Sequence, residues 1–374
     1  MKSAVKLVVV AAALLWVACQ PKATKNFSER ADSLFATAPD FSGVVLVADH
    51  GKPVFYKAFG YRNFDIRSPL DTTDVFELAS VSKTFTSILV MKLHQEGKLN
   101  IDDAVEKYLP GLPYPGITIR QLLNHTSGLP DYQAVMDEHW DKSKVAGNPE
   151  ILEYLIRYHP PRLFEPGAQF TYSNTGYVLL GSIVEKVTGK DFVAYCHEVI
   201  FDPLGMVDTD LRSREQKDAL PNFAYGYIFS EEKKNFVRAD SFPSSNYTIW
   251  LGARKGPGRV SSTARDLLKW DQALYGTRLL NAETLTAYLE PSGKPGTYDF
   301  QGHALGWMTD SDPALGKLIR HSGDNPGYRT HVLRCIDQQR TIIMLCNNQH
   351  KQYKELLKKL QALVAASVNQ PTAH

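Results

Sequence analysis

The chain has 374 residues, of which 22% are charged and 43% hydrophobic, with a formal net charge of +2. That length and balance suit one large domain, or two lobes around a sizeable core, and exclude a wholly disordered chain. The near-neutral charge gives no reason to expect nucleic acid as a partner.

The first 18 residues carry lysines at 2 and 6, then an apolar run over 7–17, then small Ala18 before Cys19. This reads as a secretory signal peptide over 1–18, too short for a confident membrane span. Cys19 directly after it predicts lipoprotein cleavage with lipid on its thiol, although Trp16 stands where leucine is usual. Plain secretion or an uncleaved anchor are the alternatives. Removing 1–18 takes away two lysines and no acids, so the formal charge of the remainder is zero. Residues 19–25 form a short polar tether. The expected location is therefore outside the cell interior, lipid-anchored through Cys19 to a bacterial membrane and facing periplasm or cell surface.

Residues 26–38 place Phe27, Ala31, Leu34, Phe35 and Ala38 on one helical face. Two strand-like runs follow, 43–48 and 54–59, with Asp49-His50-Gly51-Lys52 as a hairpin turn. After a polar loop, apolar residues at 81, 85, 88, 89 and 93 recur at helical spacing, and Gly97 supplies a left-handed stop. Ser80 falls at the start of this helix and Lys83 lies one turn on, over the same face. A serine hydroxyl needs a nearby base to act as a nucleophile. A lysine can serve if burial lowers its pKa. Two other Ser-x-x-Lys runs, at Ser3 and Ser230, lack an apolar helix to bury them. Taken alone, the Ser80 helix reads as an ordinary buried helix with a capping serine.

Residues 98–250 read as largely helical with long loops. Thr118 caps a short helix before His125, which reads as a loop hydrogen-bonder. Helices are expected over 149–159, 175–187 and 191–200, while 207–260 give no clear pattern. Thr263 and Asn281 cap two more helices. Strands return over 304–309, 317–321, 328–336 and 341–346, and a closing amphipathic helix spans 351–368. Tyr132 and Trp307 read as aromatic core, or else as cleft lining. The pattern predicts an α+β fold. One antiparallel sheet is built from both chain ends (26–75 and 255–368) and flanked by helices, with a largely helical inserted lobe over 76–254.

Cys335 and Cys346 sit in two strands joined at 337–340. A tight hairpin there puts Cys335 opposite about Ile342, too far from Cys346 for a bridge. With Cys19 lipidated, Cys196, Cys335 and Cys346 read as small buried apolar residues.

Two later stretches bear on Ser80. One is Phe170-Thr171-Tyr172-Ser173-Asn174-Thr175-Gly176-Tyr177. The other is Arg320-His321-Ser322-Gly323-Asp324-Asn325. With Ser80-x-x-Lys83 they resemble, in order, the three motifs of the serine β-lactamase and penicillin-binding-protein superfamily. The match is nearest to the branch holding class C β-lactamases, DD-carboxypeptidases and esterases. Supporting runs at 123–129, 203–206 and 260–267 extend the resemblance over about residues 41–348.

The resemblance implies an acyl-enzyme at Ser80, with Lys83 and Tyr172 sharing the proton transfers and no cofactor. Tyr172 could be the base only if nearby cations favoured its phenolate. Asn174 would hold the acyl-side amide of the substrate. The backbone N–H groups of Ser80 and Asp324 would form an oxyanion hole, each such donor worth roughly 3–4 kcal/mol. His321, Ser322 and Gly323 stand where many lactamases have Lys-Thr-Gly, and Gly323 would let the strand edge approach the substrate. Histidine there weakens any fixed positive charge. No arginine suggests itself as a partner for a substrate carboxylate.

The absence of a Gly-x-Ser-x-Gly elbow argues against an α/β-hydrolase triad, and the eleven histidines show no zinc spacing. The expected function is an exported serine hydrolase of ester, amide or peptide substrates, with small molecules or peptides as its partners. Alternatives are a DD-carboxypeptidase or β-lactamase on cell-wall-type substrates, or a non-catalytic ligand sensor on the same fold.

Overall fold

The computed structural model describes residues 26–291 and 300–368. The leader, the tether and Cys19 lie outside the described residues. Among the described residues, no helix is long and apolar enough to cross a membrane.

Seven antiparallel strands form the main sheet: β1 (Gly43–Asp49), β2 (Lys52–Phe59), β3 (Gly302–Ala304), β4 (Trp307–Asp312), β5 (Gly316–Asn325), β6 (Tyr328–Cys335) and β7 (Arg340–Cys346). Their spatial order is β3-β4-β5-β6-β7-β1-β2, so the two chain ends join where β7 pairs with β1. The β1–β2 turn has φ of 47° at His50 and 73° at Gly51, the left-handed geometry of a two-residue hairpin.

Strand alternation divides the core. Val45, Val47, Leu318, Ile342 and Met344 face two terminal helices, α1 (Phe27–Ala36) and α5 (Tyr353–Val368). Val44, Leu46, Ile319, Val332, Ile343 and Leu345 face the larger core. That core includes α2 (Ser82–Gln95), α3 (Asn174–Thr188) and α4 (Ala264–Ala273). Arg334 of β6 donates from Nε to Asp271 of α4 at 2.6 Å, with both side chains fully buried. Thr341 of β7 donates to the same carboxylate at 2.6 Å, which fixes α4 to the sheet centre.

Three local expectations change. The run 304–309 is a hairpin rather than one strand, because Gly306 at φ 91° turns the chain and Ala304 pairs with Trp307. The strand begun at 317 continues to Asn325, so the His321-Ser322-Gly323-Asp324 run lies within β5. Cys335 pairs with Arg340, not Ile342, because the β6–β7 loop is Ile336 to Gln339. Cys346 pairs with Arg329 at the other end of β6, so the two thiols stay apart, and all three described cysteines are free and buried.

Candidate active site

The segment before Ser80 is a strand, Val75–Glu77, that pairs with Val260–Ser262. It turns sharply at Ala79, whose φ of 50° is unusual for a residue with a side chain. Ser80 then lies in a single tight turn, Ala79–Val81, that runs into α2. This turn brings Ser80 to a cleft of about 450 Å³, whose walls include Tyr172, Asn174, Ser322, Gly323 and Asp324.

Lys83 is fully buried on the first turn of α2. Its Nζ donates to Ser80 Oγ at 3.1 Å, to Asn174 Oδ1 at 2.8 Å and to the Pro257 carbonyl at 2.8 Å. Burial holds its pKa well below the ordinary lysine value. Nearby Arg254 pushes the same way, and Asp131 opposes both. Asn174 is free to meet Lys83 because Ser173, not Asn174, caps α3 by accepting from the Gly176 N–H at 3.2 Å.

Tyr172 stands on the other side of Lys83, with Nζ 4.8 Å from its ring centroid. Burial raises the Tyr172 pKa, and the neighbouring Ser80 hydroxyl offsets only part of that shift. No cation favours a phenolate here, so Tyr172 is a neutral phenol. Its Oη is buried, with the Ser80 hydroxyl near it but outside hydrogen-bond geometry.

His125 holds this tyrosine. The two rings stack with centroids 4.4 Å apart. His125 Nδ1 accepts the Ser173 N–H at 3.0 Å, and its carbonyl accepts the Thr171 N–H at 2.9 Å. Burial, with a smaller contribution from Lys83, holds its pKa well below the usual histidine value. The loop role read from the sequence is therefore a positioning role for Tyr172. Tyr132 and Trp307 are buried core.

β5 closes the site, and its alternation separates the third motif. His321 is buried behind the cleft, its Nδ1 2.8 Å from the Ser322 carbonyl and its ring centroid 6.4 Å from that of Tyr172. Burial, then Lys83, lowers its pKa to about 3, so it is neutral at working pH. It does not line the cleft, which differs from the substrate contact expected for it. Ser322 does line the cleft, and its hydroxyl is 2.8 Å from His331 Nδ1. Gly323 lines the cleft too, but the space its missing side chain leaves is filled by the protein. A Cβ there would fall 2.3 Å from the Leu78 carbonyl and 2.2 Å from Thr330 Oγ1. The glycine therefore lets β5 approach the Ser80 turn. Thr330 Oγ1 completes that junction by donating to the Leu78 carbonyl at 2.7 Å. Asp324 follows at the cleft, its carboxylate 3.2 Å from Arg329.

Ser80 and Lys83, from one continuous turn and helix, thus meet Tyr172 from a second segment, with β5 alongside. The family model described as Beta-lactamase matches residues 31–366. The chain belongs to the β-lactamase family.

Among relatives of this β-lactamase-family chain, penicillin-binding protein 4* of Bacillus subtilis (strain 168) is 36% identical over 344 residues. The match covers 90% of this chain and 75% of that protein. Protein flp of Staphylococcus aureus (strain NCTC 8325 / PS 47) is 28% identical over 328 residues, 86% of this chain but 62% of that protein. The chain therefore spans less than two thirds of flp.

Among solved structures, the octameric penicillin-binding protein homologue from Pyrococcus abyssi superposes with a TM-score of 0.77 at 25% identity, covering 91% of this chain and 77% of that one. The D-amino acid amidase from Ochrobactrum anthropi SV3 gives 0.76 at 24% identity, covering 92% and 100%; this second likeness is one of fold.

Sequence reading missed two contributions. Pro257 supplies a backbone acceptor to Lys83, and no side-chain pattern announces a carbonyl. Arg254 lies in the 207–260 stretch, which has no clear periodicity.

Proposed function

We propose that this β-lactamase-family chain is a serine hydrolase that forms an acyl-enzyme through Ser80 Oγ on ester, amide or peptide substrates. The observation that carries this reading is the 3.1 Å contact between Ser80 Oγ and a fully buried lysine amine. A lysine with so depressed a pKa has a neutral fraction that can take the Ser80 proton as Oγ attacks the carbonyl carbon. The carbonyl π pair moves to oxygen, and the backbone N–H groups of Ser80 and Asp324 are the donors assigned to it.

Collapse expels the leaving group, which needs a proton. Tyr172, a neutral phenol with an unpartnered Oη, is the donor in this scheme, and Lys83 resupplies it across the shared pocket. Water then attacks the acyl-enzyme by the reverse sequence. His321, neutral and behind the wall, supports the Tyr172 pocket by packing and carries no charge to the substrate.

The fold and family also fit DD-carboxypeptidase or β-lactamase activity. The neutral His321 supplies no fixed cation at the third motif, where many lactamases have lysine, which favours the ester and peptide reading. A ligand sensor needs no depressed lysine beside a serine, so that reading is weaker. Turnover of p-nitrophenyl esters, D-amino peptides and a chromogenic cephalosporin, each with wild type and Ser80→Ala, tests the proposal. Ser80-dependent hydrolysis of an ester or peptide is expected. Equal rates in both proteins would reject it.

Export and lipid anchoring at Cys19 rest on the leader pattern alone. Cys19→Ser is expected to release the protein from membrane fractions, and retention would favour an uncleaved apolar segment.

A further inference from the structure

A second cavity, of about 560 Å³, lies beside the catalytic cleft. Asn325 and Pro326 line it, whereas Asp324 lines the catalytic cleft, so one residue step along the chain separates the two. The loop carrying Arg254 and Arg259 forms another wall, and the same loop supplies the Pro257 carbonyl to Lys83.

The charges in this wall do not balance. Glu77 is buried, with its carboxylate 3.1 Å from Lys217 Nζ and 3.0 Å from Arg259. Both cations are buried as well. Arg254 is a third cation, only 6% exposed. Among the described residues its guanidinium has no ion pair and no side-chain hydrogen bond, and its Nη1 is buried without a partner. Its one polar-type contact is the face of Tyr247, 5.7 Å away. Other charged groups of the lining are paired, as Arg214 is with Asp240 and Lys255 with Glu185, exposed, as Glu215 is, or hydrogen-bonded to neutral groups, as Arg212 is to Ser261 and the Asp208 carbonyl. One buried carboxylate thus lies among three buried cations and pairs with only two of them. A buried charge without a partner is costly, and a guanidinium offers a planar fork that matches a carboxylate.

We propose that this cavity is an anion subsite in which Arg254 pairs with a carboxylate carried by the substrate on one side of its scissile carbonyl. The inference deepens the hydrolase reading above and rests on it for the placement of that carbonyl. The cavity's charge state agrees. Burial, then Arg259, lowers the Lys217 pKa to about 8, with Arg254 contributing and Glu77 opposing. A bound carboxylate relieves this positive excess.

The test uses binding rather than turnover. The full chain with Ser80→Ala is titrated calorimetrically with two matched pairs of esters. Adipate monomethyl ester against dimethyl adipate places the carboxylate on the acyl side. 4-Acetoxybutyrate against its methyl ester places it on the alcohol side. In at least one pair the acid is expected to bind tenfold or more tightly than its neutral partner. Adding Arg254→Gln should bring that ratio close to one, and adding Arg254→Lys should keep part of it. Circular dichroism checks that each variant is folded, and the lysine variant decides the matter if the glutamine variant is not. Equal affinity within both pairs would overturn the proposal, as would a preference that survives Arg254→Gln. Because no bond is cleaved, a protein that prefers the acid but hydrolyses nothing keeps the anion subsite and rejects only the hydrolase reading.

Discussion

At the residue scale, the account turns on which group holds a proton. Lys83, Tyr172 and His321 share one buried pocket, yet burial acts on them in opposite senses. It drives the lysine and histidine towards their neutral forms and keeps the tyrosine protonated. Removal of either proton carrier, by Lys83→Ala or Tyr172→Phe, should lower ester kcat/KM by about 100- to 10,000-fold. His321→Gln should cost about one neutral hydrogen bond, ~0.5–1.5 kcal/mol, or roughly tenfold at most. A thousandfold loss in His321→Gln would place that histidine in the proton relay.

The pH profile gives an independent check. Catalysis needs neutral Lys83, so the rate should rise with pH through the lysine pKa, far to the acid side of a free lysine amine. Arg254 helps depress that pKa, so Arg254→Gln should shift the acid limb to higher pH. Asp131 opposes the depression, so Asp131→Asn should shift it to lower pH. Shifts of the same sign in both variants would contradict the electrostatic assignment.

At the element scale, the site depends on β5 lying directly against the turn that carries Ser80. Gly323→Ala puts a methyl group within 2.3 Å of two protein oxygens, one of them the Leu78 carbonyl. Overpacking of this kind costs about 1–3 kcal/mol. The thermal midpoint should fall, and Ser80 should lose activity beyond what the stability change explains. An alanine variant with wild-type rate and midpoint would show that the contact is not needed.

The individual elements were unequally legible in the sequence. α2 and α5 could be read because their apolar residues recur at helical spacing. The continuation of β5 through Ser322 and Gly323 was not, because that motif mixes small and polar residues that carry no two-residue period. Gly323 was rightly singled out, but only packing reveals that the Leu78 turn fills its space. The anchor role of His125 was equally hidden, since ring stacking on Tyr172 has no sequence period.

At the scale of the whole molecule, sheet and helices meet around buried charges. Asp271 with Arg334 fixes α4 to the sheet, and Glu77 ties the strand before Ser80 to Lys217 and Arg259. For Glu77, burial raises the pKa, but Arg259 and Lys217 outweigh it and bring the carboxyl down to about 2, from an ordinary value of 4.5. The stability it contributes is therefore fully present above pH 4.5 and is lost as pH falls towards 2. Glu77→Gln at pH 7 leaves two buried cations without their carboxylate and should cost about 3–5 kcal/mol by denaturant titration. A change below 1 kcal/mol, the scale of an exposed pair, would mean that the network is open to water.

The antiparallel sheet joining both chain ends was legible from the return of strand texture after residue 300. The cation-lined cavity was not, because its cations come from the irregular 207–260 stretch and meet Glu77 only in three dimensions.

The central claim is that Ser80 is the nucleophile. Intact mass after treatment with a serine-directed phosphonate tests it most directly, with peptide mapping of any adduct. One adduct per chain, mapped to Ser80 and absent from folded Ser80→Ala, is the predicted result. An adduct on another serine, or one that persists in Ser80→Ala, would contradict the account.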